Sequence, residues 1–167
     1  MTYDGATRTL WVRGAIELGA AAEFRAALQR HPLTKTVGLV SPGGYVLEAR
    51  AMTEDILTRG LDTYAPEKCA SACVDLFAAG EKRWIGPQSV FGLHRSGHEC
   101  APDAGPTSHD LTAAEFLKSR GVAAGFIERA LDTPYDSIWV PDSRSLMDSG
   151  LATGLRESAF VAESARP

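Results

Sequence analysis

The chain alternates short β-favouring runs with longer stretches whose apolar residues recur at helical spacing. Thr9 to Val12 is a brief run halted at Gly14 and reads as a first strand. From Glu17 to Gln29, residues Ala20, Ala21, Phe24, Ala27 and Leu28 share one helical face, and His31-Pro32 closes the segment. Thr36 to Val40 is a short apolar run of the kind a parallel sheet buries on both faces. It ends in the turn residues Ser41-Pro42-Gly43-Gly44. Val46 to Leu57 is helical again, with Val46, Ala49, Met52 or Thr53, and Ile56 on one side, and Gly60 stops it.

The second half follows the same theme. Leu61 to Ala65 predicts a strand, Ala70 to Ala79 an Ala-rich buried helix, and Arg83 to Ile85 and Val90 to Leu93 two short strands. Arg95 to Thr107 holds Gly97, Pro102, Gly105 and Pro106 among small polar residues and reads as a loop. Leu111 to Leu131 predicts one or two helices broken at Gly121. Ile138 to Val140 is a strand candidate, and Ser143 to Asp148 a last helix before Gly150. Strands and helices in alternation predict an α/β layer architecture with a largely parallel sheet. One domain over residues 1–157 and a poorly ordered tail over 158–167 are expected.

Composition narrows the function classes. A chain of 167 residues is long enough to bury a real core. Its net charge of -4 and the lack of any Lys/Arg cluster argue against nucleic acid as a partner. No apolar run approaches the roughly 20 residues of a membrane span. Met1 to Arg13 carries neither a basic start nor an apolar core, so no secretory leader is read there. The expected location is cytoplasmic, or periplasmic or exported if a leader has been removed.

Three motifs lie in an informative order. Ser41-Pro42-Gly43-Gly44 follows a buried strand, and glycines there let the backbone turn sharply with N–H groups facing outward, as an oxyanion requires. The alternative is an ordinary strand-to-helix turn. Cys69-Ala70-Ser71-Ala72-Cys73 opens an apolar helix; Ser71 is either a helix cap or a nucleophile served by the helix N-terminus. Val90-Phe91-Gly92-Leu93-His94 puts a histidine at a strand end, structural if isolated and a general base if a serine is within reach.

Taken together, these motifs, with Ala78-Ala79-Gly80 following Ser71, resemble the proteolytic subunit of Clp proteases. They are closer still to bacterial Clp-like proteins that are often exported. The resemblance spans about residues 8–155. It implies a crotonase-like fold built of repeated ββα units and a Ser-His-Asp triad of Ser71, His94 and Asp132. It also implies an oxyanion hole at Gly44, with Gly43 beside it, and Ala72. Asp132-Thr133-Pro134-Tyr135-Asp136 is similar to the family's acid segment; Asp136 is the close alternative to Asp132, and Asp75 a more distant one. The implied activity is serine endopeptidase cleavage of a peptide or protein substrate without a cofactor. A homo-oligomer is implied too, with any regulatory partner chain unidentified. No G-x4-G-K-S/T loop is present, so energy-driven unfolding of a substrate falls to another chain.

Two other functions compete. A crotonase-type acyl-CoA enzyme shares the fold and the oxyanion hole but needs no Ser71–His94 pair, and a catalytically inactive relative keeps the fold as a peptide-binding or assembly module. Cys69, Cys73, His94, His98 and Cys100 form a zinc set on paper, but the Cys-x3-Cys spacing is not that of a standard site. A disulfide between two of the three cysteines, or three buried thiols, is the stronger expectation, and an oxidised pair fits an exported protein.

Overall fold

The computed structural model describes residues 1–97 and 105–156. The β-favouring runs become β1 (Thr2–Asp4), β2 (Thr9–Arg13), β3 (Thr36–Val40), β4 (Asp62–Ala65), β5 (Lys68–Ala70), β6 (Arg83–Ile85), β7 (Val90–Gly92) and β8 (Gly154–Leu155). The helically spaced segments become α1 (Ala20–Arg30), α2 (Val46–Thr58), α3 (Cys73–Ala78), α4 (Ser108–Ser119), α5 (Ala124–Asp132) and α6 (Ser143–Asp148).

The main sheet has six strands in the order β1-β2-β3-β4-β6-β8, while β5 and β7 form a separate pair. All these pairings are parallel except β1 with β2. Parallel neighbours need crossover connections, and α1, α2 and α3 supply them between successive strands of the main sheet. The chain therefore repeats a β-β-α unit, seen in β1-β2-α1, in β4-β5-α3 and, across the long loop, in β6-β7-α4. This is the α/β architecture with a mostly parallel sheet that the hydrophobic pattern predicts. The apolar faces of sheet and helices meet in one core, where Leu10, Phe24, Leu28, Leu39, Met52, Ile56, Phe77 and Phe91 lose essentially all contact with solvent.

Two sequence expectations change. The predicted helix from Ala70 starts later, at Cys73, because Lys68 to Ala70 is claimed by the sheet. Ala70 donates to the Ser41 carbonyl, Ser41 donates to the Lys68 carbonyl, and β5 pairs with β7. Tertiary pairing here overrides the helical preference of an Ala-rich segment. Ile138 to Val140 forms no strand element. Only Trp139 pairs, antiparallel, with Leu93. The expected tail, and Cys100 with His98, lie outside the described residues.

Two arginines finish the helix that matters most. The Arg83 guanidinium, on a side chain only 6% exposed, donates to the carbonyls of Gly80, Leu151, Gly150 and Arg120. Arg120 donates to the carbonyls of Ala78 and Gly80. Carbonyls at a helix C-terminus lack intrahelical partners and carry partial negative charge, so cations there both satisfy and stabilise α3.

Candidate active site

Ser71 sits on the tight turn between β5 and α3. Its φ is 53°, a left-handed conformation that costs a residue with a Cβ about 1–2 kcal/mol. Several ties offset that cost. Ser71 N–H donates to the Gly92 carbonyl at 2.8 Å, and Val74 N–H donates to the Ser71 carbonyl at 2.8 Å. A disulfide joins Cys69 to Cys73, with Cα atoms 5.3 Å apart, and so brackets the turn on both sides. A serine forced into a sparsely populated conformation by its surroundings is a feature of functional sites rather than of plain helix caps. Nor does the Ser71 hydroxyl cap α3: its N-cap residue is Ala72, with no side-chain cap.

Gly43, in the turn after β3, packs against this turn, while Gly44 packs against the Ile16 backbone. A Cβ at Gly43, whose φ is 95°, would lie 2.6 Å from the Ala70 carbonyl oxygen, 2.8 Å from Ser71 Cβ and 3.0 Å from the Ala72 nitrogen. Only glycine permits this approach. Gly43 N–H donates to Ser41 Oγ at 3.1 Å, so it serves the turn internally. Gly44 and Ala72 N–H have no hydrogen-bond partner among the described residues. Of the predicted donors, these two are free for an incoming oxyanion, and Gly43 contributes space instead.

His94 follows β7 and is half-buried. Its position is fixed from two sides: Leu93 exchanges both backbone hydrogen bonds with Trp139, at 2.9 Å each, and Arg95 N–H donates to the Thr133 carbonyl at 3.0 Å. The imidazole Nδ1 lies 2.9 Å from the Arg95 carbonyl oxygen. A carbonyl only accepts, so Nδ1 carries the proton and Nε2 is left as the basic nitrogen. The ring also stands beside Tyr135, with centroids 6.0 Å apart.

A cavity of about 90 Å³ brings these groups together. Ser71, Ala72 and His94 line it, with apolar walls from Val46, Leu93, Ala114, Leu117, Ile127 and Leu131. Two carboxylates line it as well. Asp110 is spent within the structure: its oxygens accept from Ser96 N–H at 2.6 Å, Thr107 N–H at 2.6 Å and the Thr107 hydroxyl at 2.8 Å. These bonds form the capping box of α4 and tie the loop after His94 to that helix. The Asp75 carboxyl has no hydrogen-bond partner among the described residues. Burial, and then the nearby Asp110, push it up to about 7.

The predicted acid is placed differently. Asp132 ends α5 and Asp136 lies in the following turn; both are exposed, and neither lines the cavity. Yet the segment carrying them runs where the sequence argument requires, since Thr133 and Trp139 are the backbone partners of Arg95 and Leu93. Asp110 escaped the sequence reading, although Thr107 three residues before it is a capping signal. The disulfide removes Cys69 and Cys73 from any metal set, and among the described residues no group of three or more His, Cys, Asp or Glu side chains is placed to hold a metal ion.

The fold is a Clp-protease/crotonase-like α/β arrangement, and one cavity in it is lined by Ser71, Ala72 and His94. Solved structures share the architecture. ClpP1 from Listeria monocytogenes superposes with a TM-score of 0.73 at 16% identity, covering 95% of this chain and 96% of that one. A point mutant of the same protein gives 0.66 at 18% identity, covering 93% and 94%. The ClpP protease catalytic domain from Plasmodium falciparum gives 0.70 at 18% identity, covering 92% and 87%. No family model matches the sequence, and no curated protein matches it.

Proposed function

We propose that this protein is a serine peptidase in which Ser71 is the nucleophile and His94 the general base. The observation that carries the proposal is one cavity lined by Ser71 in its left-handed conformation, by Ala72 with an unengaged N–H, and by His94 with Nε2 as its basic nitrogen. Ser71 Oγ attacks the scissile carbonyl carbon as His94 Nε2 takes the hydroxyl proton. The oxyanion that forms receives Gly44 N–H and Ala72 N–H. Collapse breaks the C–N bond, and His94 returns the proton to the departing amine. Water then attacks the acyl-enzyme by the same route and releases the acid, leaving Ser71 protonated.

Asp132 completes the proposal as the acid that takes over Nδ1 from the Arg95 carbonyl when a peptide occupies the site. Its support is the run of residues 132–139 alongside Leu93 to Arg95. The Ser71–His94 pair favours this reading over an acyl-CoA enzyme, which has no use for it.

A fluorophosphonate probe tests the assignment. The wild-type protein is expected to be labelled at Ser71. Ser71→Ala is expected to abolish both labelling and peptide hydrolysis while the thermal midpoint stays the same or rises slightly. Hydrolysis at the wild-type rate by Ser71→Ala, or no labelling of the folded protein, would leave the non-catalytic peptide-binding module as the better reading.

A further inference from the structure

Asp75 lies at the junction of two cavities. One is the Ser71 cavity; the other, of about 200 Å³, is lined by Val46, Arg50, Thr53, Leu57, His109 and Phe116 among others, and shares Val46, Asp75, His109 and Ala113 with the first. The walls are mostly apolar, yet two polar groups at them are idle. The Asp75 carboxyl has no hydrogen-bond partner among the described residues, in contrast to the fully engaged Asp110. Thr53, 6% exposed, has its hydroxyl oxygen buried with no partner either. A buried hydroxyl such as that of Thr53 rarely lacks a partner, and the half-buried Asp75 carboxyl is open to one. A bound cation explains both.

We propose that the paired cavities form the subsite for a basic side chain, arginine above all, on the substrate residue that supplies the scissile carbonyl. This rests on the peptidase reading above and names its substrate class. Asp75 stands four residues beyond Ser71, about one helical turn, so a side chain leaving the carbonyl held at Ser71 and Ala72 meets it after a short stem. The methylene stem packs against Val46, Ala113 and Ala114, as long cationic side chains do on apolar surface. The guanidinium reaches Asp75, and its remaining N–H groups are within the compass of the Thr53 hydroxyl, an acceptor that a lysine ammonium satisfies less well. A cation there also offsets the burial and the Asp110 repulsion that push the Asp75 carboxyl up. Exposed Arg50 and Glu54 at the second cavity offset one another in charge, and exposed His109 stands between the two cavities.

The test uses peptides differing only at that residue, as arginine, lysine or leucine. The wild type is expected to favour arginine over leucine by at least about 30-fold in kcat/KM, the loss typical when a buried charge is left unpaired. Asp75→Asn is expected to remove that preference while leucine peptides stay within about threefold. Thr53→Val is expected to cost arginine peptides about tenfold and spare lysine peptides, since it deletes one bond to a charged group. Calorimetry on the Ser71→Ala variant gives a readout without catalysis: an acetylated arginine amide is expected to bind, and its norleucine counterpart to bind at least about tenfold more weakly. A wild-type preference for leucine, an equal loss on all peptides in Asp75→Asn, or equal binding of the two amides would overturn the subsite. Labelling of Ser71 without basic preference sinks this inference and leaves the peptidase reading standing. Selective binding of the arginine amide with Ser71 inert to the probe does the reverse.

Discussion

At the scale of single residues, the question that decides the mechanism is what holds the His94 ring. In the structure it is the Arg95 carbonyl, 2.9 Å from Nδ1, and the Asp132 carboxylate stands in solvent. Asp132→Asn is expected to lower kcat by up to about 10⁴-fold if its carboxylate takes the imidazole during turnover, with Asp136→Asn nearly neutral. A steady-state comparison of the two variants checks it. Damage from Asp136→Asn alone shifts the acid by four residues, and two silent variants leave a dyad oriented by the carbonyl. The residues themselves were legible in the sequence to different degrees. Ser71 and His94 stood out because each sits at the junction of two elements, where a change of hydrophobic period marks the chain. Asp75 was legible only as a distant alternative for the acid, and Thr53 only as a candidate for the apolar face of its helix; neither reading pointed to a cavity. Only the packing of α4 over α2 and α3 closes cavities around them. Gly43 was legible as a special position, but its use as space rather than as a donor depends on Ser41 Oγ, a detail that no spacing reveals.

At the scale of elements, the strand–turn–helix of β5 and α3 is where sequence and structure diverged, and the divergence is informative. The Ala70–Ala79 stretch has helical propensity throughout, yet its first residues are held in the sheet by Ser41 and β7, and the disulfide closes the corner. A bridge spanning so few residues stabilises by roughly 2 kcal/mol on chain-entropy grounds. The larger effect is local, since it ties together the residues two before and two after Ser71, whose φ is 53°. Reduction with dithiothreitol, or Cys69→Ala with Cys73→Ala, is expected to lower the thermal midpoint and slow fluorophosphonate labelling of Ser71. Reoxidation of the wild type is expected to restore both. Unchanged labelling after complete reduction would show that the hydrogen bonds to Gly92 and Val74 suffice to hold the turn. The remaining elements were legible where they are long and periodic. β1 and β8 were not, since strands as short as Thr2–Asp4 and Gly154–Leu155 are defined by their partners β2 and β6 and carry no period of their own.

At the scale of the whole molecule, the sheet is covered but the surface is not wholly polar. Leu18, Leu33, Leu47, Ile138 and Val140 are each more than half exposed, at 73%, 66%, 68%, 53% and 54%. Scattered apolar residues are ordinary, and these become meaningful together with the homo-oligomer that the family resemblance implies. Static light scattering at micromolar concentration is expected to give a mass that is a multiple of 17.8 kDa, falling on dilution if the contacts are weak. A species of 17.8 kDa alone would count against the homo-oligomer.

The arginine pair behind α3 has a temporal meaning. Arg83 is made midway through synthesis, but two of the carbonyls that satisfy it, those of Gly150 and Leu151, belong to the last stretch of the described chain. Until that stretch leaves the ribosome, a guanidinium destined for burial has only two of its four acceptors, the carbonyls of Gly80 and Arg120. A buried cation without partners costs several kcal/mol, comparable to the whole stability of a small domain. Burial of Arg83 is therefore expected to be complete only once the segment holding Gly150 and Leu151 docks.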